Sequence, residues 1–81
     1  MGRKKKINKT IGERLRWLRA TNGKSQQIVA DICAIHQTAL SQYERSLCMP
    51  SPYVLLTLAK YYDVSIDFLY GRTDERKNLG L

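Results

Sequence analysis

Hydroxyl residues set just ahead of apolar stripes constrain this chain more than any other feature. Thr10, Ser25, Ser51 and Ser65 each stand where a helix N-cap belongs, because apolar side chains recur after each at helical spacing. Thr10 and Glu13 have capping-box spacing, so a first helix is expected to start at Thr10, with Ile11, Leu15 and Leu18 as its buried stripe. Asn22-Gly23 ends it, since glycine accepts the left-handed backbone of a helix C-terminus. Ser25 caps a second helix with Val29, Ala30 and Cys33 inward, and after a short turn a third runs from Gln37 to Arg45 on Leu40 and Tyr43. Ser51-Pro52 opens a fourth, faced by Leu55, Leu58, Ala59 and Tyr62, and Ser65 opens a fifth with Ile66, Phe68 and Leu69, stopped by Gly71. No stretch alternates with period two for long enough to make a strand. The chain therefore reads as all-α, five short helices around one core.

Eighty-one residues at 43% hydrophobic content suit one folded domain. That domain is expected over 10–71, between a basic, disordered N-terminal arm (1–9) and a short C-terminal tail (72–81). The net charge of +7 is carried by residues 1–45, whereas 46–71 is slightly acidic. Such asymmetry points to a polyanion partner. No apolar run approaches the ~20 residues that cross a bilayer, and Lys6 stands where a myristoylation motif wants serine or threonine. Cys33 and Cys48 have neither CxxC nor metal-ligand spacing and read as reduced thiols of a cytoplasmic protein. With one histidine, no phosphate-binding glycine loop and no nucleophile–base pattern, an enzyme is not expected, and neither is a metal or cofactor. The length leaves no room for a ligand-sensing domain, so no small-molecule ligand is expected.

A helix of about eight residues, a short turn and a second capped helix have the geometry of a helix-turn-helix. The stretch "SQQIVADICAIHQTALSQYERSLCMPS" resembles the Cro/C1-type (XRE) helix-turn-helix family through Ser25-Gln26, Ala30, Ile35, Tyr43-Glu44 and Pro50-Ser51, and "VSIDFLYGRTDE" resembles its fifth helix. The resemblance implies a lambda-repressor-like fold and a transcriptional regulator, a repressor above all. It would bind double-stranded DNA as a homodimer on near-palindromic half-sites, with residues 36–45 in the major groove. It also implies a structural ion pair between Arg19 and Glu44, whose breaking would cost about 3–5 kcal/mol if buried. Ala34 departs from the turn glycine usual in the family, which suggests a strained or reshaped turn. His36 replaces the usual cap, Ser46 replaces a glycine, and Ile28 and Ile32 fall at usually polar positions, where they would pack on Ile7 or on a partner.

With Leu40 and Tyr43 inward, helix geometry turns Gln37, Thr38, Ser41, Gln42 and Arg45 outward. From His36 to Gln42 this face has no lysine or arginine, although the chain is basic. Glutamine amides and hydroxyls discriminate between base edges, where lysine would bind any phosphate. By family position Gln37, Thr38 and Gln42 lead as base contacts, with Ser41 beside them. Lys24 and Ser25 flank exposed amides at a helix N-terminus, a phosphate site that Gln26 shares by resemblance, and Arg45 is expected on the same strand. Phe68, Tyr70, Leu79 and Leu81 are the expected dimer surface. The competing reading is an antitoxin-like module that binds DNA together with a partner protein, favoured by Ile28 and Ile32.

Overall fold

The computed structural model describes residues 9–76, which form α1 (Lys9–Thr21), α2 (Gln26–Cys33), α3 (Gln37–Glu44), α4 (Pro52–Tyr62) and α5 (Ile66–Tyr70). Three N-caps act as their residue types dictate. The Ser25, Ser51 and Ser65 hydroxyls accept from the backbone N–H groups of Ile28, Val54 and Phe68. The first helix differs from expectation. It begins at Lys9, so Thr10 is already helical and is not its cap. The Thr10 methyl instead lies against Gly71, where an added Cβ would come within 2.7 Å of it.

All five helices end alike. The residues past their ends, Gly23, Ala34, Ser46, Asp63 and Gly71, have φ between 57° and 81°. In α2 the Ile35 N–H donates to Ala30 O and the Ala34 N–H to Asp31 O, the paired bonds of a Schellman motif. The same two bonds close α3, from Leu47 to Gln42 O and from Ser46 to Tyr43 O. The turn at Ala34 therefore keeps its left-handed geometry without glycine.

Each helix packs chiefly on two others, in the ring α1–α3–α2–α4–α5 and back to α1. The core inside it holds Ile11, Leu15 and Leu18 of α1, Val29, Ala30 and Cys33 of α2, and Leu40 of α3. Val54, Leu55, Leu58 and Ala59 of α4, Val64 after it, and Phe68 and Leu69 of α5 complete it, with Tyr43 and Tyr62 at its edge. Burying each large side chain is worth about 1.5–3 kcal/mol, so the ring is held mainly by this cluster. Gly12 is buried where α1 crosses the end of α3, and a Cβ there would sit 2.6 Å from Tyr43 O. Beyond α5 the chain turns back along α1. Arg14 donates to Phe68 O, Thr73 O and Asp74 Oδ1 at 2.8–2.9 Å, with its guanidinium 4.2 Å from the centre of the Phe68 ring. No helix among the described residues is long and apolar enough to cross a membrane.

Candidate nucleic-acid interface

The outward side of α3 is built from its inward side. Leu40 is fully buried and Glu44 nearly so, and this anchoring leaves Gln37, Thr38 and Gln42 exposed and Ser41 half-buried. His36 precedes the helix in extended backbone and makes no side-chain cap bond. Arg45 closes the helix as its C-cap and is exposed. Lys24 and Ser25 are exposed at the start of α2, with Gln26 half-buried behind them.

A hydrogen-bonded chain ties this surface to the core. Arg19 meets the Glu44 carboxylate through two bonds, Nε to Oε2 at 2.7 Å and Nη2 to Oε1 at 3.0 Å. The Glu44 side chain is 2% exposed and that of Arg19 19%, so the expected pair forms, with only its acidic partner fully enclosed. The hydrogen bond to Glu44 raises the Arg19 pKa against the opposing effect of burial, which keeps the guanidinium charged. Arg19 Nη1 also donates to Lys24 O at 3.0 Å and so holds the segment leading into α2. Gln26 Nε2 donates to Glu44 Oε1 and Gln37 Nε2 donates to Gln26 Oε1, both at 3.0 Å. Burial first, and then the Glu44 charge, push the Tyr62 phenol well above its usual range, so its neutral form packs beside the pair.

Several side chains stand away from this site. Ile28 and Ile32 are 49% and 41% exposed, while Ile7, with which contact was expected, lies outside the described residues. The basic arm and the tail leucines Leu79 and Leu81 also lie outside them. Phe68 does not belong to a dimer surface as expected, because the Arg14 guanidinium and the core enclose it. Two features escaped the sequence reading, namely the Arg14 clamp and the Gly12 crossing. A glycine inside a helical pattern was the only visible signal among them. No three His, Cys, Asp or Glu side chains gather among the described residues where a metal ion could sit.

Residues 10–68 match the model of the helix-turn-helix domain family. The chain belongs to that family. Its Cro/C1 character is shown by its relatives. The chain is 36% identical over 73 residues to the uncharacterized HTH-type transcriptional regulator YobD of Bacillus subtilis (strain 168), covering 83% of this chain and 65% of that protein. It is 35% identical over 68 residues to the HTH-type transcriptional regulator ImmR of the same strain, covering 84% and 54%. This helix-turn-helix chain thus spans less than two thirds of the length of those relatives. In fold it resembles the P22 c2 repressor protein solved with a synthetic operator, with TM-score 0.70, 34% identity, and 73% and 89% of the two chains covered. The biofilm master regulator SinR solved with DNA gives TM-score 0.66, 32% identity, and 73% and 95% coverage.

Proposed function

We propose that this helix-turn-helix protein is a sequence-specific binder of double-stranded DNA that represses transcription, with α3 in the major groove. One observation carries the reading. The exposed side of α3 offers neutral amides and hydroxyls, and it is held on the core by the Arg19–Glu44–Gln26–Gln37 hydrogen bonds. Pre-ordered amides lose little freedom on binding and can read base edges, with Gln37, Thr38 and Gln42 foremost and Ser41 beside them. Lys24, Ser25, Gln26 and Arg45 border this face and take the phosphates, aided by the N-terminal amides of α2. DNA-bound P22 c2 repressor and SinR have the same fold, which supports this role.

One α3 covers one half-site, so the active species is a homodimer. Its contact surface is the apolar groove of about 450 Å³ lined by Pro50, Pro52, Leu55, Leu56, Ile66 and Tyr70. Pro50 follows α3 closely in the chain, so a second copy seated here fixes the spacing of the two recognition helices. The test is binding to a preferred duplex and to a scrambled one. Replacing Gln37, Thr38 and Gln42 by alanine should remove the preference while leaving the weaker scrambled-duplex binding. Two chains per duplex are expected by native mass spectrometry. Equal binding of both duplexes by the unaltered protein, or preference for duplex RNA, refutes the reading.

A further inference from the structure

We propose that residues 72–76 act as a strap that holds α5 in the position the dimer needs, so that docking of the strap and pairing of two chains favour each other. This rests on the reading of the groove between Pro50 and Tyr70 as the dimer contact, and adds a control on it.

α5 has five residues, too few to be stable through its own backbone bonds. Its Phe68 and Leu69 side chains belong to the core, whereas Ile66 and Tyr70 line the groove. The strap grips both ends of this short helix. At the start, the Ser65 N–H donates to Arg76 O at 2.6 Å. At the end, Arg14 Nη1 donates to Phe68 O at 2.8 Å and to Thr73 O at 2.9 Å, while Nη2 donates to Asp74 Oδ1 at 2.8 Å. Residues 72–76 therefore run back along α5 from its C-terminus to its N-cap, and Arg14 of α1 ties helix and strap together. Gly71, where the strap begins, rests on the Thr10 methyl, so the turn is fixed on α1 as well.

The strap itself is lightly held. Thr73 is half-buried and the other four residues are exposed, with the Asp74 side chain 96% so. With so little buried, its docked and free states lie close in free energy, the condition under which a distant contact shifts the balance. Undocking removes the partner of the Ser65 N–H and part of the Arg14 clamp. α5 then loosens, and with it the side of the groove that Ile66 and Tyr70 supply. A second copy that holds Ile66 and Tyr70 must in turn favour the docked strap, since coupling between two sites is reciprocal. Trp17, the one tryptophan in the chain, reports this directly. It is 47% exposed on α1, with its ring centre 6.4 Å from that of Phe68 and 5.8 Å from the Arg76 guanidinium. Trp17 is not among the residues lining the groove, so pairing reaches it through α5 and the strap.

The test measures dimer dissociation by sedimentation equilibrium and Trp17 emission on the same samples, without DNA. Asp74→Lys sets a like charge beside Arg14 at an exposed position, and Arg14→Met removes the clamp but keeps an apolar stem on Phe68; circular dichroism checks the fold of both. Each should shift Trp17 emission and weaken the dimer about fivefold or more, the scale of a coupling between sites. Leu56→Glu, in the groove and away from the strap, should give a monomer whose emission is shifted in the same direction as that of Asp74→Lys. If Asp74→Lys shifts the emission but keeps dimer affinity within about twofold, strap and dimer are independent, and the proposal falls while the groove stands. A weaker dimer with unshifted emission, or no change in either, would also overturn it. If Leu56→Glu still dimerises, the groove is not the contact and the proposal falls with that reading.

Discussion

Glu44 is the charged side chain that the core buries among the described residues, and it holds two partners at once. Its loss should be felt first in stability. Glu44→Gln leaves Arg19 beside a neutral amide, and because Arg19 keeps some solvent contact the cost falls near the low end for a broken buried pair, about 3 kcal/mol. For a domain of this size that lowers Tm by about 10 °C or more in a thermal melt, and an unchanged Tm would contradict the buried pair. Gly12 makes the opposite kind of point. Alanine is the better helix former by about 1 kcal/mol, yet its Cβ would collide with the Tyr43 carbonyl at the α1–α3 crossing. Overpacking of this kind costs about 1–3 kcal/mol, so Gly12→Ala should lower Tm rather than raise it. The Arg19–Glu44 pair was legible through the family resemblance of Tyr43-Glu44. The Gly12 crossing was not, because contact between helices far apart in sequence leaves only an unexplained glycine behind.

Helix starts and helix ends differ in how clearly the sequence announces them. Ser25, Ser51 and Ser65 were readable as N-caps because a hydroxyl there bonds the helix's own backbone, a local act. Thr10 misled because it lies one residue inside the helix, with its methyl against Gly71, a contact that no local pattern announces. Helix ends at Gly23 and Gly71 were readable for the same local reason, glycine's tolerance of positive φ. The ends at Ala34, Ser46 and Asp63 adopt that backbone without glycine, because docking of the next segment over-determines the turn. At Ala34 the left-handed strain of about 1–2 kcal/mol exceeds the roughly 0.4–1 kcal/mol that glycine's added freedom costs through the unfolded chain. Ala34→Gly should therefore stabilise the protein by up to about 1 kcal/mol, measured by urea denaturation with an unchanged m value. A lower midpoint would mean that the alanine methyl contributes packing worth more than the strain.

Across the whole molecule, charge and chemistry are divided by place. The basic excess lies in residues 1–45, yet from His36 to Gln42 there is no lysine or arginine, and this division was visible in the sequence alone. The burial of Phe68 was less legible, since an aromatic on the fifth helix suited a dimer surface as well as the core, and only the Arg14 guanidinium and the core cluster enclose it. On the proposed function, with Lys24 and Arg45 of each chain facing phosphates, a dimer should show a slope of log affinity against log salt of about −4, steeper if the N-terminal arm joins. Lys24→Ala should flatten that slope by about two in a titration from low to moderate salt, weakening all sequences alike, and an unaltered slope would remove Lys24 from the phosphate contacts. Selection from a random duplex-DNA library, followed by sequencing of the bound fraction, tests the central claim most directly. The account predicts a two-fold motif with half-sites about one helical turn apart, altered at one pair per half-site by Gln37→Ala. Salt-sensitive binding that enriches no motif would contradict it.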